Sequence, residues 1–232
     1  MNTLFTLANP KTAKGEGLGF LTAILHLAPF NLSGRQVCPR ASEGCAAACL
    51  NTAGRGIMRN VQQARIQRTR RYFDNRRAFV ADLARELERL ERRADRAGFS
   101  LAVRLNGTSD IPWERKAPDL FRTFAHVPFY DYTKIPERDG LDNYHLTFSR
   151  SETNGRECME EAARGRNVAA VFSREATDAD IMRTARGFGF VRSHDMDAHD
   201  LRFLDPTPSM GVLRAKGKAR RDLSGFVIVA AS

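Results

Sequence analysis

Six short β-rich runs set apart by helical stretches, the middle four ending in polar residues, constrain this 232-residue chain most. They are FLTAILHLAP (20–29), LAVRLNGTSD (101–110), VPFYDYTK (127–134), NYHLTFSRSE (143–152), NVAAVFS (167–173) and GFVIVAA (225–231). Helical stretches fall at 117–125, 155–165 and 177–186, and the clearest helix precedes the second run. There Phe79, Leu83, Leu87, Leu90, Ala94 and Ala97 recur at spacings of four and three until Gly98. Strands alternating with helices at this interval predict an α/β fold with a parallel sheet of βα units, which the last run closes or edges. No repeat, long linker or low-complexity segment divides residues 1–232, so a single α/β domain is expected, large enough to bury a core without covalent staples. In such sheets the polar residues after each strand gather on one face, where ligands bind whether the sheet is open or a barrel.

The first run leads into CPRASEGCAAACLNTAGRG (38–56), which puts Cys38, Cys45 and Cys49 within twelve positions. Three readings of C-x6-C-x3-C compete. Soft thiolates on one loop suit an iron–sulfur cluster with one iron left open. A zinc site would need Cys158 or a histidine as fourth ligand and lacks the usual C-x2-C knuckle. Three unrelated thiols packed as small hydrophobes are the plainest reading. Pro39, Ser42, Gly44, Asn51 and Gly54 give the loop no apolar periodicity of its own, which favours a wrapped metal centre. Cys158, in RECMEEAARG, falls in a helical stretch and reads as core.

Charge points to a partner. The net formal charge is +10, and residues 55–77 hold eight arginines against Asp74 alone. A second basic run, RAKGKARR, occupies 214–221. Such runs suit a polyanion, either nucleic acid or a nucleotide-like substrate, with Arg55, Arg59, Arg65, Arg68, Arg70 and Arg71 as the binding candidates; a solvated helix face is the plainer reading. MNTLFTLANPKTAKGEG lacks the features of a secretory leader, and no apolar run approaches the ~18 residues of a membrane span. A cytoplasmic protein without a membrane partner is therefore expected.

At the strand ends, RLNGTSD gathers hydrogen-bonding groups around Gly107, where a ligand could approach the backbone. Asp110, Asp131 and Lys134 are the candidate catalytic groups there, and Asp131 would need a partner or a task if it pointed inward. His145 lies mid-strand and reads as structural. SHDMDAHDLRFLDP (193–206) reads as a polar loop; were its acids to meet Asp110 and Asp131, a metal-dependent nuclease would be a third functional reading. NPKTAKGEGLG (9–19) matches a phosphate loop only in composition, since G-x-x-x-x-G-K-S/T is absent.

Together, NPKTAKGE, CPRASEGCAAACLNTAGRG, VRLNGTSDIPWE, FYDYTK, NYHLTFSRSE, HDLRFLDP and AKGKARRDLSGF resemble a bacteriophage and prophage family catalogued as gene product 88. The resemblance covers nearly the whole chain and implies a role in the cytoplasm of a bacterial host cell, without bringing an activity. More distantly, a first strand, a three-cysteine loop and βα units with polar ends are similar to the layout of radical S-adenosylmethionine (SAM) enzymes, whose usual spacing is C-x3-C-x2-C. That resemblance implies a (β/α) partial barrel of about six mainly parallel strands, with a 4Fe–4S cluster on Cys38, Cys45 and Cys49. It also implies that Asn106, Gly107, Thr108 and Ser109 hold the SAM amino group, and that Ser149, Ser151 and Glu152 hold its ribose. The enzyme would act on nucleic acid or a nucleotide-like substrate. The alternative is a nucleic-acid-binding protein with a zinc or iron–sulfur centre and no catalysis.

Overall fold

The computed structural model describes residues 3–7 and 14–230. The glycine-lysine run at 9–19 therefore falls partly, and Ala231 wholly, outside the described residues. The frame is a mostly parallel sheet of β1 (Phe5–Thr6), β2 (Phe20–Leu25), β3 (Ser100–Arg104), β4 (Phe129–Thr133), β5 (Tyr144–Ser149), β6 (Val168–Phe172), β7 (Ser193–Asp195), β8 (Met210–Arg214) and β9 (Val227–Ile228). The strand order is β1-β2-β3-β4-β5-β6-β8-β7, with β9 also paired to β6. Only β1 runs antiparallel to its neighbour. The connections carry α1 (Glu43–Ala47), α2 (Arg59–Asp74), α3 (Arg76–Arg96), α4 (Trp113–Lys116), α5 (Pro118–Thr123), α6 (Gly155–Ala163) and α7 (Asp178–Gly187).

Each expected β-rich run contains a strand, and each strand stops before the polar tail that follows it. β7 arises in the stretch read as a polar loop, because a three-residue strand of Ser-His-Asp carries no apolar signal of its own, and β8 in a stretch where the sequence predicts no element. β8 instead owes its place to pairing: Val168 to Phe172 of β6 lie opposite Met210 to Arg214.

The pleat divides the sheet into two unlike faces. Leu21, Ala23, Val103, Phe129 and Tyr144 project to one face, where they meet Leu83, Leu87 and Leu90 of α3 and Trp113, Leu120 and Phe121 further on. Phe148, Val168, Ala170 and Met210 continue that face beneath Cys158 of α6 and Ile181 and Ala185 of α7. Each such side chain taken fully from water contributes about 1.5–3 kcal/mol, so this face holds most of the hydrophobic stabilisation. On the other face none of α3, α6 and α7 packs, and only the short α1 approaches, through Cys45 beside the Ala48, Ala215 and Phe226 cluster. The centre of that face is covered by the segment 196–205, which lays Leu201 and Phe203 against Ala102, Tyr130 and Phe20. Gly211 of β8 has no side chain because a Cβ would stand 1.9 Å from the Met196 sulfur of this segment.

The basic run 55–77 contains a break as well as a helix. Asn75 leaves helical geometry at φ −149, and its side chain caps α3 by accepting from the Ala78 amide at 3.0 Å. At the far end Gly98 turns to φ +73 while the Phe99 amide donates back to the Ala94 carbonyl, as a left-handed helix stop requires.

Candidate functional site

A cavity of about 200 Å³ opens on the face opposite α3, α6 and α7, beyond the carboxyl ends of the parallel strands. Arg104 and residues 106–110 reach it from β3, Tyr132 to Lys134 from β4, Ser149 from β5, Val171 from β6 and Leu213 to Lys216 from β8. Cys38, Cys45 and Cys49 line the opposite wall. This is where ligands bind in parallel α/β sheets, because strand ends release polar loops to one side.

The loop that presents the thiols is held by named contacts. Ser42 caps the short α1 by accepting from the Cys45 amide at 3.2 Å, and its hydroxyl donates to Glu152 Oε2 at 2.8 Å. The other Glu152 oxygen accepts from the Gly44 amide at 2.8 Å. A Cβ on Gly44 would meet that oxygen at 2.8 Å, so a larger residue there would have to displace the Glu152 carboxylate from the loop. Further along, the Gly-Arg-Gly turn is stitched to α2: Gln62 donates to the Gly56 and Asn51 carbonyls and accepts from the Asn51 amide nitrogen of the side chain. Arg65 donates to the same asparagine. The Asn51 backbone amide in turn points at Cys49 Sγ, at 3.5 Å.

Burial pushes the Cys38 thiol up to about 12 and the Cys49 thiol in the same direction, despite single amide donors from Phe30 and Asn51. The nearby sulfurs of the trio add to the shift, since each disfavours a second negative charge. A bare thiolate is therefore costly here, which is unlike the electropositive setting of a nucleophilic cysteine. A cationic centre would remove the penalty by supplying the compensating charge. Cys158 is fully buried in α6 with its thiol on Asn154 Oδ1 at 3.5 Å, and it is absent from the cavity wall. No histidine lines the cavity, and its carboxylates, Asp110 and Asp197, are already engaged by Arg138 and Lys216. Among the described residues, no three His, Cys, Asp or Glu side chains are placed to hold a single metal ion.

The candidate residues at the strand ends divide sharply. Asn106 is spent: its Oδ1 accepts from Ser109 Oγ, the Ile111 amide and Trp113 Nε1, and its Nδ2 donates to the Ile111 carbonyl and Asp131. Thr108 gives its hydroxyl to the Leu27 carbonyl at 2.6 Å. Gly107 is required by β2 instead of by a ligand, because a Cβ would lie 2.7 Å from Ile24 Cγ2 and 2.8 Å from the Leu25 carbonyl oxygen. Ser149 reaches the cavity and accepts from Lys134 Nζ at 2.9 Å. Ser151 is buried beside Thr153 and Asn154, outside the cavity wall, and Glu152 is the clamp on α1.

Of the candidate catalytic groups, Asp110 and Lys134 face the cavity and Asp131 does not. Pleat alternation sends Asp131 to the helix side of β4, fully buried, where it accepts from the Asn106 amide at 2.7 Å and Tyr144 OH at 2.7 Å. Burial pushes its carboxyl up to about 7, against Arg104, Tyr144 and Asn106. Asp110 is raised by burial too, while the Lys134 amide and Arg138 oppose the shift. The arginines of 55–77 do not form one face. Arg55, Arg59, Arg70 and Arg71 are exposed, Arg68 donates to the Thr3 carbonyl at 3.1 Å, and Arg65 is buried with Thr69 and Tyr72 on the inner stripe of α2. Arg65 is thus a support for Asn51 and is closed to a phosphate.

The acids of 193–206 disperse. Asp200 bonds Arg104 at 3.1 Å and Tyr130 OH, Asp205 lies 3.3 Å from Arg202, and Asp197 accepts from the Arg214 amide and Lys216. Two cavity residues had only a faint signal in sequence. Arg104 is the lone charge in the apolar run LAVRL; burial opposes its charge, yet Asp200, Tyr132 and Asp131 hold its pKa above the usual guanidinium range. Phe226, from the last segment, stands with its ring 5.6 Å from Lys134 Nζ. Tyr132 completes the floor with a buried hydroxyl that has no hydrogen-bond partner, and burial pushes its phenol up to about 12.

The family model described as Gene product 88 matches residues 3–230. No curated protein and no solved structure matches the chain. No helix among the described residues is long and apolar enough to cross a membrane.

Proposed function

We propose, from the premise that the chain belongs to the gene product 88 family, that it is an iron–sulfur enzyme of radical-SAM type acting on nucleic acid or a nucleotide-like substrate. The observation that carries the reading is the convergence of Cys38, Cys45 and Cys49 on one wall of a strand-end cavity that offers no fourth soft ligand. A closed tetrahedral zinc site needs four ligands at about 2.0–2.3 Å; three thiols facing open space suit a larger centre with one position left for a ligand. Strands β2 to β6 in sequence order, with their helices on one face, are also the arrangement from which a partial barrel is wound.

Cys38, Cys45 and Cys49 would hold the cluster, which when bound supplies an electron to SAM and so begins radical chemistry. Everything else falls to the chain. Lys134, braced by Ser149, presents an ammonium to a carboxylate or phosphate. Tyr132 keeps its proton and can donate to a ligand acceptor. Val171, Leu213 and Phe226 give an apolar wall that excludes water from the reacting centre. Glu152 holds α1, and with it Cys45, in register with the strand ends.

The test is an absorption spectrum of protein purified without oxygen, with iron, sulfide and zinc measured on the same sample. A broad band near ~400 nm with iron matched by sulfide, both lost in Cys45→Ala, is the expected result. Zinc without iron would overturn it. A metal-containing nucleic-acid binder without chemistry is the second reading, favoured by the exposed Arg59 and Arg70 on α2; it predicts no heat when SAM is titrated into the reconstituted protein.

A further inference from the structure

We infer that the chain has a second binding site, a groove at the β1 edge of the sheet that seats the phosphate backbone of a nucleic-acid strand. The groove encloses about 760 Å³ and shares no residue with the cysteine cavity. Residues 3–7 form its floor, and Arg55, Arg68, Arg71, Arg85, Arg89 and Arg93 line it against only Asp82 and Glu86. Three of these arginines lie outside the 55–77 run. The lining arises because α2 and α3 pack side by side next to a two-residue edge strand.

Both acids are already committed. Asp82 pairs with Arg71 and Arg85. Glu86 is buried, and its carboxylate accepts from the Leu4 amide at 2.9 Å and the Phe5 amide at 3.2 Å, so it fastens β1 to α3. Arg68 fixes the wall through the Thr3 carbonyl at 3.1 Å. Arg55, Arg89 and Arg93 are exposed and have no acid partner among the described residues. Arg89 and Arg93 stand one helical turn apart, about 6 Å along α3, so the open guanidiniums form a row and do not converge on one point. A row fits a repeating anion. All six cations are arginine, whose planar fork matches phosphate oxygens in pairs. The apolar groups, Leu4, Phe5 and Leu90, are recessed in the floor, where a strand could cover them and a bilayer could not reach them. Phe5 is buried, so no ring is offered to stack a base, and binding should be indifferent to sequence.

This inference rests on the proposed function only for the nature of the partner, and it is tested on full-length protein as purified, with iron measured on the same sample. Fluorescence anisotropy with a labelled mixed-sequence 20-nucleotide single strand should give a salt slope of about −2 to −4, from three to six phosphate contacts. Arg89→Glu/Arg93→Glu should weaken binding by about tenfold or more and flatten the slope by about 1.4, whereas Arg89→Lys/Arg93→Lys should keep most of the affinity. Both pairs are exposed, and melting curves matching the parent confirm that the fold survives. Unchanged affinity in the charge-reversed variant would overturn the site. So would tighter binding to vesicles rich in phosphatidylserine than to the strand. Loss of strand binding with the iron centre intact would leave the cysteine reading standing, and the reverse result would leave the groove standing.

Discussion

On the helix side of β4, Asp131 is enclosed by Asn106, Tyr144 and Arg104, while on the opposite side Tyr132 and Lys134 open onto the cavity. The two sides use similar residues for different ends. Behind the strand, Arg138 is fully buried and bonds Glu114 at 2.6 and 3.1 Å, Asp110 at 3.1 Å and Tyr144 OH at 3.3 Å, so its donors serve the fold. In front, among the described residues, the Tyr132 hydroxyl has no hydrogen-bond partner and the Lys134 ammonium donates to Ser149 alone. A buried polar group that is fully bonded holds the fold together, whereas one left with spare valence waits for a ligand.

The largest expected effect comes from breaking the enclosed side. Arg138→Ala leaves the Asp110 carboxylate without its ion-pair partner and Glu114 with only the exposed Arg115 at 3.8 Å, and the loss of one partner from a buried pair costs about 3–5 kcal/mol. In a chain of this size that lowers Tm by about 6–20 °C, read by calorimetry. A fall under ~2 °C would mean that this network is not structural.

Asp131 gives a smaller effect with a definite sign. Its folded-state carboxyl, near 7, lies above the unfolded value, so the native state binds more protons across the interval between them. Its contribution is fully present below the unfolded pKa and is lost as pH rises through about 7. Asp131→Asn should flatten the decline in Tm between pH 4 and 7, and an unchanged slope would assign that decline elsewhere. The smallest effect is expected in front of the strand. Tyr132→Phe removes a buried hydroxyl that has no partner and should leave stability within about 1 kcal/mol of the parent, while weakening any cavity ligand in calorimetric titration.

Much of the frame was legible. The stripe Phe79, Leu83, Leu87, Leu90 and Ala94 is buried as its spacing predicts, while Ala97, its last predicted position, is the exposed C-cap, and each apolar run yields a strand. Cys38, Cys45 and Cys49 line the strand-end cavity, but no three His, Cys, Asp or Glu side chains among the described residues are placed to hold a metal ion. The roles of the polar tails were not legible. Asn106, Thr108 and Glu152 look like ligand groups in sequence, and each is used up by a contact many positions away or by its own turn. Arg65 looked like its neighbours until the twist of α2 turned it inward.

The sequence by itself determined the alternation of strand and helix, the capping at Asn75 and Gly98, and the clustering of thiols and arginines, because these depend on periodicity and local backbone chemistry. Only the tertiary structure decided which side of β4 would be sealed. It also laid residues 196–205 over the sheet, brought Phe226 to Lys134, and placed Arg55 of the Gly-Arg-Gly turn in the same groove as Arg89 and Arg93 of α3. These outcomes turn on hydrogen-bond partners and charges brought together by pleat direction and helix packing, and a list of residues does not carry that information.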